Sequence, residues 1–201
     1  MNETSNVSNL ILASGSVSRA TILRQACVAF EKRVSGVDED ALKVRYQQGA
    51  PAKLACALAK AKALAVCKND GRFILGADQL LQCEDRLFDK PRSREEARTN
   101  LMFLRGKTHY LINGLSLCCD GEEIWSFTNH VSLTMRQFSD EYLDLYIENE
   151  GDSILSSVGC YRLEAMGAQL FTHIEGDYFS TLGLPLLPLL EELRKHDIIQ
   201  T

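Results

Sequence analysis

Residues 10–19 read Leu10-Ile11-Leu12-Ala13-Ser14-Gly15-Ser16-Val17-Ser18-Arg19. Consecutive apolar residues suit a short buried strand, the small polar Ser14-Gly15-Ser16 breaks it, and Arg19 to Ala26 then reads as a helix. The same alternation of strand and helix runs outward along the chain. Pro51 opens an alanine-rich helix to about Cys67, as proline does at a first helical position. Phe73 to Ala77 is a second buried strand, ended by an acid. Ser93 and Glu96 predict a capping box for a helix that closes near Arg105-Gly106. Tyr110 to Cys119 and a return strand from about Glu123 to Met135 flank the hairpin turn Asp120-Gly121. Ser139-Asp140-Glu141 starts a helix that stops before Gly151, Tyr161 to Ile174 reads as another hairpin, and Pro185 opens the last helix. These changes of period predict an α/β fold.

Composition narrows the function classes. The chain has 201 residues, 45% hydrophobic and 24% charged, with 22 Lys+Arg against 27 Asp+Glu and a net charge of −5. This is the balance of a folded globular protein, not of a disordered tail or a disulfide miniprotein. No basic block stands out, so duplex nucleic acid is not an expected partner. No apolar run approaches the roughly 18 residues of a transmembrane helix, so no membrane partner is expected. Met1 to Ser8 is polar and lacks the apolar region of a secretory signal. The 7 cysteines include no Cys-x-x-Cys pair and read as small buried hydrophobes in a reducing cytoplasm. The expected organisation is a polar extension over 1–8 and one domain over 9–201.

Three constellations carry chemistry. Ser14-Gly15-Ser16 before a helix offers backbone N–H groups and hydroxyls to an anion, and Arg19 adds a bidentate donor; the alternative is an ordinary N-cap turn with a surface arginine. Gly76-Ala77-Asp78-Gln79 places an acid where α/β proteins put ligand-binding groups, or simply starts a turn. Dispersed ions complete the set. Asp38-Glu39-Asp40 supplies hard oxygen ligands or a solvated turn. Lys60 and Lys62 leave one helix in different directions, one facing inward or both snorkelling. Lys90 is held extended before Pro91 as a further cation, or simply marks a surface turn.

Taken together, these segments resemble the Maf family, the septum-formation-inhibitor-like nucleoside triphosphate pyrophosphatases. The resemblance runs from Asn9 to Ile199. It is carried by Leu10 to Ser16 with Arg19, Val37-Asp38-Glu39, the Ala-x-x-Lys-Ala of Ala57 to Ala61, Gly76 to Gln79 and Lys90-Pro91. Leu104-Arg105-Gly106 with His109 and Gly114, Glu175 to Tyr178, and Leu182 to Pro185 continue it. It implies a mixed central sheet flanked by helices, two lobes around a deep cleft, and the superfold of the inosine triphosphate pyrophosphatases. It also implies cleavage of a nucleoside triphosphate between its α and β phosphates to the monophosphate and pyrophosphate. A divalent cation, Mg²⁺ or Mn²⁺, takes part, and homodimers are common in the family.

Carried over by position, Asp78 is the proton acceptor, with Glu39, Lys60 and Lys90 as the other charged catalytic residues. Ser14, Ser16 and Arg19 face the phosphates, and Glu39 and Asp78 hold the metal. Gln79 and Glu164 resemble the branch acting on 7-methylguanosine triphosphate, although that branch has Trp where Ser18 stands. The pyrimidine-preferring branch usually has Arg, Thr and Gln at the positions of Ser18, Gln79 and Glu164. A carboxylate accepts from both N1–H and N2–H of a guanine edge, so the expectation leans to a modified purine over dTTP or UTP; the alternative is that Glu164 points away from the base. The family name also suggests a cell-division regulator that acts by binding; the complete charged set favours catalysis.

Overall fold

The computed structural model describes residues 8–46 and 51–200, with Arg45 by its backbone alone; of the expected extension over 1–8, only Ser8 lies within the described residues. The first elements are β1 (Leu10–Leu12), α1 (Val17–Gln25), β2 (Glu31–Lys32), α2 (Glu39–Arg45), α3 (Pro51–Val66), β3 (Phe73–Cys83) and β4 (Arg86–Phe88). Then follow α4 (Arg94–Leu104), β5 (Thr108–Cys119), β6 (Glu122–Met135), α5 (Asp140–Glu150), β7 (Phe171–Glu175), α6 (Tyr178–Thr181) and α7 (Leu186–Lys195). The strands form one sheet in the order β2-β1-β3-β5-β6-β7, with β4 on β3. β1 runs parallel to β2 and β3, whereas β4 and β7 are antiparallel to β3 and β6. The architecture is therefore α/β with a mixed sheet and flanking helices.

Local chemistry explains the boundaries. Every residue of β1 is buried, as a parallel strand covered on both faces requires. Ser16 caps α1 by accepting from the Arg19 backbone N–H, and Ser93 caps α4 by accepting from that of Glu96. The Glu96 carboxylate accepts from the Arg92 N–H instead of closing on Ser93, so the expected capping box is half formed. Asp120 and Gly121 both have positive φ, +47° and +85°, as a tight hairpin turn demands.

Two expectations are corrected. The strand expected to end at Ala77 continues to Cys83, so Asp78 and Gln79 lie within β3 and not at its end. Residues 161–174 are not a hairpin: a 3₁₀ turn over Met166–Leu170 leads into β7, which pairs with β6. Gly167 lets that turn close, since a Cβ there would meet the Arg162 backbone at 2.4 Å.

The chain divides into two compact units, the first over 1–79, 113–129 and 178–201 and the second over 80–112 and 130–177. Each has its own core. In the first, Leu10, Leu12, Leu23, Leu75, Leu115 and Leu189 pack together; in the second, Leu81, Leu101, Leu104, Leu133 and Tyr146 do. Within the first unit α3 lies directly on the sheet. A Cβ on Gly76 would come 1.9 Å from the Ala59 carbonyl oxygen, and one on Gly114 would come 2.3 Å from the Ala55 carbonyl carbon. Ala55, Ala59 and Ala63 form the small-residue face that makes this approach sterically feasible.

Candidate functional site

The clustered polar residues of the first unit are set by β1, α1, α3 and β3. β1 ends at Leu12, and Ser14 follows in the turn to α1, only 5% exposed. Its hydroxyl oxygen accepts from the Ser16 N–H at 3.2 Å and from Arg19 Nη1 at 3.2 Å. Arg19 is itself 8% exposed, because α1 turns it inward. Its Nη1 also donates to the Ala77 carbonyl at 2.8 Å, and its Nε donates to the Gly183 carbonyl at 2.8 Å. Burial lowers the pKa of the guanidinium, while the nearby charges of Asp78 and Glu39 act to raise it. The surface-arginine alternative is thereby excluded.

Next to Arg19, on β3, stands Asp78, 6% exposed. Lys62 Nζ donates to Asp78 Oδ1 at 2.5 Å and lies 2.8 Å from Glu39 Oε1. Glu39 opens α2, which Asp38 caps by accepting from the Ala41 N–H. One ammonium thus gathers two carboxylates, one from α2 and one from the sheet. The acidic stretch Asp38-Glu39-Asp40 is a cap and first helical turn, with Glu39 directed to the cluster.

The lysine in this cluster is Lys62 and not Lys60. Lys60 points from α3 to Glu123, 3.1 Å away, with nearly half of its side chain exposed. The hydrogen bond and charge of Glu123 raise its pKa. Helical spacing contains the signal for the difference. Leu54, Ala55, Leu58, Ala59, Lys62 and Ala63 share the buried face of α3, at the i, i+3, i+4 spacing that Lys60 breaks. The pattern Ala-x-x-Lys-Ala also occurs twice, at Ala57 to Ala61 and at Ala59 to Ala63. The structure brings the second of these to Asp78.

Gln79 is committed to the protein. Its amide NH₂ donates to Asn113 Oδ1 at 3.1 Å and to the carbonyls of Ser180 at 3.1 Å and Thr181 at 3.4 Å. Asn113, fully buried on β5, donates to the same Ser180 carbonyl at 2.9 Å and to Asn129 Oδ1 at 3.1 Å. This amide network fixes the turn over residues 180–183, whose Gly183 carbonyl holds Arg19. Sequence reading missed Asn113 and Ser180. A buried amide in an otherwise apolar strand is the trace they leave.

Lys90 and Glu164 belong to the second unit, and both are exposed. Among the described residues no group of three or more His, Cys, Asp or Glu side chains gathers as a metal site. Glu39 and Asp78 nevertheless converge on a single positive centre, the Lys62 ammonium. Two carboxylates are the protein share that Mg²⁺ takes when phosphate oxygens and waters complete its shell. The donor set therefore fits a divalent cation that arrives with a phosphate ligand.

The chain is similar along most of its length to known proteins. A family model described as Maf-like protein matches residues 9–196. A nucleoside triphosphate pyrophosphatase of Caulobacter vibrioides is 48% identical over 187 residues, covering 92% of this chain and 94% of that protein. One of Paramagnetospirillum magneticum is 44% identical over 189 residues, covering 92% and 97%. A 7-methyl-GTP pyrophosphatase of Brucella abortus is 42% identical over 193 residues, covering 94% and 97%.

Proposed function

The chain belongs to the Maf family, and from that membership and the Lys62 cluster we propose that it hydrolyses nucleoside triphosphates between the α and β phosphates, releasing the monophosphate and pyrophosphate. The observation that carries the reading is one buried lysine shared by two carboxylates beside a buried arginine.

Asp78 Oδ1 is bonded to Lys62, which leaves Oδ2 to accept the proton of an attacking water. The water oxygen bonds to the α-phosphorus, the bond between that phosphorus and the α–β bridging oxygen breaks, and pyrophosphate leaves with the electron pair. Lys62 stabilises the charge that develops on the phosphates, an effect that grows where water is excluded. Ser14, Ser16 and the free Nη2 of Arg19 face the phosphates, while the other guanidinium donors fix the turn against the sheet. Glu39 and Asp78 are the carboxylates to hold Mg²⁺ or Mn²⁺, which when bound screens phosphate charge. Lys90 completes the cationic set by resemblance to the family.

For the base we propose a modified purine such as 7-methyl-GTP. Glu164 is exposed and offers acceptors only, and one similar relative carries that activity in its name. Seven free cysteines support a reducing, cytoplasmic setting.

The test is pyrophosphate release with Mg²⁺ or Mn²⁺ from ATP, GTP, UTP, dTTP and 7-methyl-GTP. Wild-type protein releases pyrophosphate, Lys62→Met loses about 100-fold or more in turnover, and Lys60→Met stays within about twofold, as an exposed pair should. No release from any triphosphate overturns the proposal. Hydrolysis of dTTP or UTP far ahead of 7-methyl-GTP assigns the pyrimidine branch instead.

A further inference from the structure

We propose that Lys32 binds the pyrophosphate end of the triphosphate, a contact that rests on the site reading above and adds a cation to it. Lys32 ends β2 and pairs in register with Leu12, the last residue of β1. From there its side chain reaches the turn that follows β1, where Nζ donates to the Gly15 carbonyl at 2.9 Å. An ammonium has three donors. One is spent on Gly15, and among the described residues Lys32 makes no ion pair, so two donors remain for a ligand.

Charge balance gives those donors a purpose. Arg19 and Lys62 are matched by Asp78 and Glu39, so the buried cluster is neutral before substrate arrives. A triphosphate brings about four negative charges, and one divalent cation cancels only half of them. The cations beside Lys32 are already neutralised. Arg33 pairs with Glu31 at 2.8 Å, and Arg72 pairs with Glu31 at 3.0 Å and Asp70 at 2.6 Å. Lys32 keeps its charge unmatched and is tethered to the Ser14-Gly15-Ser16 turn.

There is also room. Gly15 is exposed, and a Cβ placed on it would meet nothing within 4 Å. Lys32 is exposed as well, which suits the terminal phosphates, the most highly charged and best hydrated part of the substrate.

The experiment compares wild type, Lys32→Met and Lys32→Arg in pyrophosphate release, with product inhibition by inorganic pyrophosphate and by the nucleoside monophosphate. In Lys32→Met, KM for the triphosphate and the inhibition constant for pyrophosphate both rise about five- to tenfold. The turnover number, the inhibition by monophosphate and the thermal midpoint stay at wild-type values, and Lys32→Arg recovers most of the affinity. An active wild type with unchanged KM and pyrophosphate inhibition in Lys32→Met overturns the role of Lys32 alone. Weakened inhibition by the monophosphate instead overturns its assignment to the pyrophosphate end. A wild type that releases no pyrophosphate removes the site reading and this contact together.

Discussion

Asp78 combines near-complete burial with a bond to an ammonium and a second oxygen left open to a ligand. Replacing it by Asn keeps the shape and removes the proton acceptor. Asp78→Asn is expected to lower pyrophosphate release by about 100-fold or more while the chain stays folded, because Lys62 retains Glu39 at 2.8 Å. Steady-state kinetics beside a thermal melt checks this, and near wild-type turnover would remove Asp78 from the chemistry. Single residues were legible from the chain where neighbours along it set their environment. Ser93 caps α4 as its spacing predicts, whereas Ser16 caps an α1 that begins at Val17, two residues before its expected start at Arg19. Lys62 was visible only as one of two lysines, since Lys60 fits the same five-residue pattern and only the buried stripe of α3 separates them. Gln79 reads as a ligand contact because its partners, Asn113 and Ser180, lie far away in sequence.

The distance between α3 and the sheet sets where Lys62 stands, and glycine sets that distance. Gly114→Ala forces a methyl group into the Ala55 backbone. It is expected to cost about 3 kcal/mol and to lower turnover by displacing Lys62. Gly15→Ala enters open space and leaves stability unchanged within about 0.5 kcal/mol. Chemical denaturation of both variants measures the contrast; equal midpoints would show that α3 has slack above the sheet. Elements whose apolar period is clean, such as β1, α3 and the β5–β6 hairpin, match their sequence reading. β3 was shortened in that reading because an acid and an amide normally mark a strand's end. Here Lys62 and the 180–183 turn satisfy them, so the strand continues through. The stretch 161–174 misled in the opposite way: its alternation suggested a hairpin, but Gly167 closes a turn against Arg162.

Across the whole molecule, stability is expected to depend on pH through His109 in the second unit. Its ring is fully buried, with Nε2 2.8 Å from the Tyr161 hydroxyl and Nδ1 without a hydrogen-bond partner among the described residues. Burial pushes its pKa down from 6.5 to about 4. Between those values the unfolded chain holds a proton that the folded chain does not, so stability is complete above pH 6.5 and is lost as the pH falls toward 4. The loss from this group between pH 7 and pH 5 is about 2 kcal/mol. Denaturation of wild type and His109→Gln at both pH values reads it, and an identical pH slope in the variant would assign the effect elsewhere. The first unit adds a different consequence, in the order of synthesis. It is assembled from residues 1–79, 113–129 and 178–201. Arg19 leaves the ribosome early, yet the Gly183 carbonyl that receives its Nε is made more than a hundred and sixty residues later. Until then the guanidinium lacks that acceptor, and the amides of Gln79 and Asn113 await Ser180. A nascent chain that stalls before residue 183 therefore lacks the contact that fixes Arg19, and the cluster is completed only near the end of synthesis.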